Sequence, residues 1–366
     1  MKVLFRVDSS QEIGTGHISR CLTLAKELRE NGHHVEFIVK ALVGNITKKI
    51  IAENFIVHSI YPETGYLVKN PDIELKHSQW LKSSQKNDAM QCMSILKKTN
   101  PHLIIVDHYA LDQQWEKIIR SEFCGQIMII DDLCDRMHVA NFLIDATYGR
   151  SYTEYQGMIN EDCRCHFGPD YAIIDRRFKA LQEKALRKRK KTANHYKILI
   201  TMGGVDINNI SSRILDILTQ LPLIQVENIT LIIGGASPHK LSLMQKCTSL
   251  NIQFLIDVND MPQIMLEHDI AIGALGVTVW ERCVLCLPAI NICIAENQNM
   301  IAEKIKTAGL TVIKAEEIAP VKIETLLSEI MNDYFSACEI AGNACSGDGI
   351  KNILSLIAPP SNSLSS

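Results

Sequence analysis

The chain has 366 residues, of which 46% are hydrophobic and 22% charged, and a formal net charge of −3 at pH 7. That length exceeds one ordinary core and predicts two domains, and the mixture of apolar and charged residues is that of a globular chain. The slightly acidic total gives no global attraction to nucleic acid, and no apolar run approaches the roughly 18 residues that cross a bilayer. The expectation is therefore a protein with neither nucleic acid nor membrane insertion among its partners. Without a signal-peptide pattern after Lys2, the expected location is the cytoplasm.

Lys2 to Asp8 reads as a buried strand. Cys21, Leu22, Ala25 and Leu28 then recur at helical spacing until Asn31-Gly32, and His34 to Val39 supplies a second strand. Strand, glycine loop, helix and strand in about forty residues make a βαβ unit, which requires a parallel sheet and a right-handed crossover. Further strands are legible at His102–Asp107, Gln126–Asp131 and Asn141–Asp145, each ending in an aspartate. Ligands of open α/β sheets bind beyond the carboxyl ends of strands, although aspartate is also an ordinary turn former and helix cap there.

Residues 179–196 are strongly basic without a clear apolar stripe and read as an interdomain linker rather than a nucleic-acid patch. The pattern restarts at Lys197-Ile-Leu-Ile-Thr-Met-Gly-Gly204, followed by a helix carrying Ile210, Ile214, Ile217 and Leu218. Strands at Asn228–Gly235, Ile252–Ile256, Asp269–Gly273 and Ala289–Ile294 complete a second α/β unit, and a helix is expected from Gly349 to Ile357 before a frayed tail. The fold class is α/β: two doubly wound, Rossmann-like lobes facing an interdomain cleft. The boundaries read as 1–180 for the first lobe, 181–196 for the linker, 197–345 for the second lobe and 346–366 for the terminal helix and tail.

Three segments carry chemistry. The loop Ile13-Gly14-Thr15-Gly16-His17 lies between the first strand and its helix, where glycines let backbone approach a ligand and the helix start presents unpaired N–H groups. As a dinucleotide fingerprint it fails: Ser19 stands where the third glycine belongs, and the second strand ends Phe37-Ile-Val-Lys40 without the ribose-binding acid. The positive end of the helix disfavours a protonated imidazole, which suits His17 to a general base; an ordinary helix-start histidine is the competing reading. The second segment, Gly273-Ala-Leu-Gly276-Val-Thr278-Val-Trp-Glu281, offers donors for a diphosphate at Gly276 and Thr278 and a carboxylate at Glu281 for ribose hydroxyls, against a plain cap and a solvent-facing glutamate. In the third, Ala295-Glu-Asn297-Gln-Asn299, amides suit sugar hydroxyls, against ordinary loop polarity as the competing reading.

No P-loop, nucleophile elbow or His-Glu-x-x-His helix occurs. Asp131-Asp132 is the nearest acidic pair, and adjacent residues at a strand end point in opposite directions, so no metal is assigned. Twelve cysteines without a dense framework fit buried thiols. Cys163-Arg-Cys165-His166 lacks a second ligand pair and Cys283-Val-Leu-Cys286 falls in a predicted helix, so neither is read as a metal or redox site.

Arg6-Val-Asp-Ser-Ser followed by Ile13-Gly-Thr-Gly-His17-Ile-Ser-Arg-Cys-Leu resembles the start of the UDP-sugar hydrolases of pseudaminic acid biosynthesis. The resemblance continues through Thr201-Met-Gly203-Gly204, Gly276-x-Thr278-x-Trp-Glu281-Arg282 and Ala295-Glu-Asn297-Gln298. It implies a GT-B fold like that of the N-acetylglucosaminyltransferase of peptidoglycan synthesis, with UDP held mainly by the C-terminal lobe. It further implies that His17 is the general base, that Gly14 and Gly16 line the sugar side, and that Gly203, Gly204, Gly276, Thr278 and Glu281 hold UDP while Asn297 contacts substrate. The implied reaction is metal- and cofactor-independent hydrolysis of a UDP-activated 2,4-diacetamido-2,4,6-trideoxy-L-altrose by a monomer or weak dimer. A GT-B glycosyltransferase using a UDP-sugar donor is the alternative.

Overall fold

A computed structural model describes residues 1–65, 75–191, 196–295 and 298–357. The N-terminal lobe holds strands β1 (Lys2–Val7), β2 (His34–Lys40), β3 (Ile56–Ile60), β4 (Leu103–Asp107), β5 (Gln126–Ile130), β6 (Phe142–Asp145) and β7 (Arg164–Phe167). They form one parallel sheet in the order β3-β2-β1-β4-β5-β6-β7. Helix Gly16–Glu30 covers one face through Ile18, Leu24 and Leu28, and helices Gln85–Thr99 and Gln113–Arg120 cover the other through Cys92, Leu96 and Trp115. A sheet buried on both faces explains the unbroken apolar runs of its central strands.

The C-terminal lobe repeats the plan with β8 (Ile198–Thr201), β9 (Ile229–Ile233), β10 (Gln253–Ile256), β11 (Ile270–Ala274), β12 (Ala289–Cys293) and β13 (Val312–Lys314). Their order is β10-β9-β8-β11-β12-β13, again all parallel. The two doubly wound lobes expected from the sequence are therefore present, and their winding reverses between β1 and β4 and between β8 and β11.

The basic run differs from the expected linker. Arg176–Arg189 is a helix, N-capped by the Asp175 carboxylate, which accepts from Arg177 N at 2.9 Å. Phe178 and Ala185 bury in the C-terminal core with Leu181 packed beside them, a stripe that intervening basic residues conceal in the sequence. Its last cations serve the end of a neighbouring helix, Met261–Glu267: Arg189 donates to the carbonyls of His268 at 2.5 Å and Met265 at 3.1 Å, and Lys188 meets Asp269 at 2.7 Å. Cations satisfying helix-terminal carbonyls are structural. Residues 192–195 of the run lie outside the described residues.

The chain then crosses back. Helix Gly349–Ile357 buries Ile350, Ile353 and Ile357 in the N-terminal core with Ile18 and Leu28, so the N-terminal lobe contains a helix from the opposite end of the chain.

Candidate active site

The reversal points of the two sheets face one another across a cleft of about 620 Å³. Crevices at such points receive the loops of two diverging βα units, which is where open α/β sheets bind ligands. Gly14, Gly16, His17, Gly203, Gly204, Gly276, Thr278 and Glu281 all line this one cleft, drawn from three separated stretches of the sequence. Asn297 lies outside the described residues, while its neighbour Gln298 lines the cleft.

In the N-terminal wall, the Ser10 hydroxyl accepts from the N–H groups of Glu12 and Ile13, and Gly14 N donates to Ser10 O at 2.9 Å. Gly14 takes φ +79°, a left-handed turn that glycine adopts without strain, and the chain enters the helix at Gly16. A Cβ on Gly16 would meet no atom within 4 Å, so nothing inside the protein requires glycine there and the open space belongs to the cleft. His17 is placed in the first helical turn, buried apart from its face toward that space.

His17 Nδ1 lies 2.6 Å from Asp107 Oδ1 at the end of β4, the strand beside β1. An ionised carboxylate only accepts, so the proton sits on Nδ1 and the lone pair of Nε2 is left free. Arg20, one turn after His17, forks onto the same carboxylate at 2.6 and 2.7 Å and reaches Asp132 Oδ2 at 2.6 Å. Burial works to raise the Asp107 carboxyl, but the Arg20 charge and the hydrogen bonds from Arg20 and His17 outweigh it and hold the group well below the usual carboxylate range. Tyr109 donates to Asp132 Oδ2 at 2.5 Å and sets its ring edge-on to His17, with centroids 4.6 Å apart. Trp80 completes an aromatic side to this end of the cleft.

Asp107, Tyr109, Arg20 and Asp132 were not among the residues singled out for a role. The signal for Asp107 is in the sequence: an aspartate closing the strand that returns to lie beside β1 where a doubly wound order reverses. Asp131 and Asp132 do point apart, Asp131 being consumed by Arg136 at 2.8 Å and Tyr155 at 2.7 Å. Glu36 is held by Lys2, His34 and His58, which removes it from any ribose.

The C-terminal wall has two helix starts. The first, Ile210–Leu218, is closed by its own chain: Asp206 accepts from Ile210 N at 2.8 Å and Ser211 N at 3.0 Å. Two of the N–H groups at this terminus are therefore already taken by a carboxylate. The second, Val277–Val284, begins at Gly276 with φ +141° and has no side-chain cap. Its first turn faces the cleft with Thr278 and Glu281. Among the described residues no donor reaches the Glu281 carboxylate, and burial pushes it up to about 7, with Arg282 opposing and Asp175 adding to the rise. The helix ends at Val284, leaving Cys286 in a turn at φ +49° rather than in the helix interior expected for it.

Among the described residues, no group of three or more acidic, histidine or cysteine side chains is arranged to hold a metal, and no helix is long and apolar enough to cross a membrane.

Two parallel lobes whose reversal points meet across a cleft, with an imidazole on one wall and an open helix start on the other, define a protein of the GT-B fold. The structure of MurG from Acinetobacter baumannii shares that architecture at a TM-score of 0.66 and 14% identity, over 97% of this chain and 99% of MurG. In sequence the chain is 29% identical over 314 residues to the UDP-2,4-diacetamido-2,4,6-trideoxy-beta-L-altropyranose hydrolase of Campylobacter jejuni, covering 85% of this chain and 98% of that enzyme. It is 25% identical over 342 residues to the spore coat polysaccharide biosynthesis protein SpsG of Bacillus subtilis, covering 91% and 90%. No family model matches the chain.

Proposed function

We propose that the protein is a nucleotide-sugar hydrolase that cleaves a UDP-activated 2,4-diacetamido-2,4,6-trideoxy-L-altrose into UDP and the free sugar. The observation that carries this reading is the His17–Asp107 pair at 2.6 Å, with His17 lining a cleft whose far wall is an uncapped helix start. The likeness to the Campylobacter hydrolase over nearly its whole length supports both the activity and the substrate class.

In this mechanism UDP lies along the C-terminal wall, with its ribose at Glu281 and its diphosphate at the Gly276–Thr278 turn, and the sugar extends toward His17. Gly203 and Gly204 face the nucleotide from the β8 loop. His17 Nε2 takes a proton from water, whose oxygen attacks the anomeric carbon. The bond from that carbon to the β-phosphate oxygen breaks with its electron pair, leaving UDP. Asp107 holds the imidazole in the tautomer this transfer requires and stabilises the imidazolium formed. Charge on the departing diphosphate is met by backbone N–H groups of the open helix start.

Purified protein given the UDP-activated sugar is expected to release UDP with no added acceptor and in the presence of chelator, followed by NMR of both products. Release that requires a sugar or lipid acceptor would instead assign the cleft to a glycosyltransferase.

A further inference from the structure

Five arginines are buried: Arg6, Arg136, Arg150, Arg189 and Arg282. Four of them face carboxylates, Arg6 with Asp8 and Asp88, Arg136 with Asp131, Arg150 with Asp145 and Arg189 with Asp269. Arg282 is the exception. It is 1% exposed, and among the described residues no carboxylate comes within ion-pairing distance; Glu281, its neighbour in the chain, faces the cleft instead.

What accepts hydrogen bonds from Arg282 is neutral. Its guanidinium donates to Ala274 O at 3.1 Å, Asn291 Oδ1 at 2.8 Å and Thr278 Oγ1 at 3.4 Å, and its Nε has no partner among the described residues. Gly273 makes the room, since a Cβ there would stand 2.5 Å from Arg282 Nη1. Burial draws the group down to about 10, which still leaves it protonated at neutral pH. A fully buried cation that no described carboxylate pairs is costly, and native proteins rarely keep one that has no use.

The position of the charge indicates its use. Helical side chains lean toward the N-terminus, so Arg282 reaches back one turn beneath Thr278 and the open start of helix Val277–Val284. The charge and the uncapped N–H groups lie behind the same patch of the cleft wall. We propose that Arg282 is the fixed countercharge for a nucleoside diphosphate bound at the Gly276–Thr278 turn, so that the ligand supplies the anion that no described residue brings to this guanidinium. Arg282 acts through the wall, as a positioning residue that orients Thr278 and sets the potential at the turn. This rests on the nucleotide reading of the cleft given above.

The test is a ladder of ligands that differ in charge alone: uridine, UMP and UDP, titrated by calorimetry into the wild type, Arg282→Gln and Arg282→Lys. Gln keeps hydrogen-bond donors without the charge, and Lys keeps the charge with a different donor geometry. The expected result is that Arg282→Gln binds uridine as the wild type does and UMP more weakly, and loses about 10- to 100-fold in affinity for UDP. Arg282→Lys should stay nearer the wild type across the ladder. Melting curves report folding, and Arg282→Met serves as the uncharged form should Gln not fold. Equal losses for all three ligands, or a Lys variant weaker than Gln, would show a structural hydrogen-bonding role and overturn the proposal. A wild type that binds neither uridine nor UDP would overturn the nucleotide reading and this inference together, whereas wild-type binding with a flat ladder in Arg282→Gln overturns this inference alone.

Discussion

At the scale of single residues, the reaction centre depends on one carboxylate that never meets the cleft. Asp107 is fully buried, held ionised by Arg20, and acts on His17 only through Nδ1. Asp107→Asn preserves volume but offers an amide that can also donate to Nδ1, which favours the tautomer with its proton on Nε2. Turnover of the UDP-sugar is therefore expected to fall about 10²- to 10⁴-fold in Asp107→Asn, comparably to His17→Asn, with UDP affinity in both variants near that of the wild type. Steady-state kinetics beside UDP titration separates the two quantities; an active His17→Asn variant would remove the imidazole from the mechanism. Glu281 makes the opposite trade. A carboxyl whose folded-state pKa is raised to about 7 binds its proton more tightly folded than unfolded. Its contribution to stability is therefore present below the ordinary carboxyl range and is lost as pH rises toward and through 7. Glu281→Gln should melt like the wild type at about pH 4 and above it at pH 8, by on the order of 1 kcal/mol once cleft water is allowed for. Parallel melting curves across that range would refute the burial of this carboxyl as the cause.

At the scale of elements, the strands were legible because a parallel sheet covered on both faces requires continuous apolar runs, and the runs beginning at Lys2, His102, Lys197 and Asp269 are that signal. The Gly14–His17 and Gly276–Glu281 turns were equally legible, since each pairs a glycine requirement with a helix start. Edge strands were harder. β3 and β7 are largely half-buried or exposed and carry His58, Arg164 and His166, so their sequences lack the apolar run. Helix Arg176–Arg189 was read as a linker because its apolar stripe is three residues wide among seven cations. The use of those cations, on carbonyls at the end of another helix, is a tertiary fact that spacing does not encode. Asp132 and Tyr109 were hidden for the same reason: each is one polar residue beyond a strand, and only strand order brings them to His17.

At the scale of the whole molecule, catalysis requires that the wall carrying His17 and the wall proposed to hold the nucleotide meet at one separation. Two sets of contacts fix it. On one side Lys304 of the C-terminal lobe reaches Gly149 O at 3.1 Å and Glu154 at 3.0 Å in the N-terminal lobe. On the other, the β8 loop abuts the histidine loop so closely that a Cβ on Gly204 would stand 2.7 Å from Thr15 Oγ1. Gly204 has no positive φ, so Gly204→Ala strains no backbone, and its one consequence is to push against Thr15 across the cleft. Thr15 precedes the helix without a side-chain capping bond, so Thr15→Ala removes the obstructing hydroxyl at little expense to the helix. Gly204→Ala should therefore lower turnover about tenfold by widening the gap that the attacking water and the anomeric carbon must share, while the melting temperature stays near that of the wild type. The Thr15→Ala/Gly204→Ala pair should recover most of the loss, a coupling measured by a double-mutant cycle in kcat/KM. Additive losses would mean that Gly204 acts on its own lobe, and that the separation of the walls is set elsewhere.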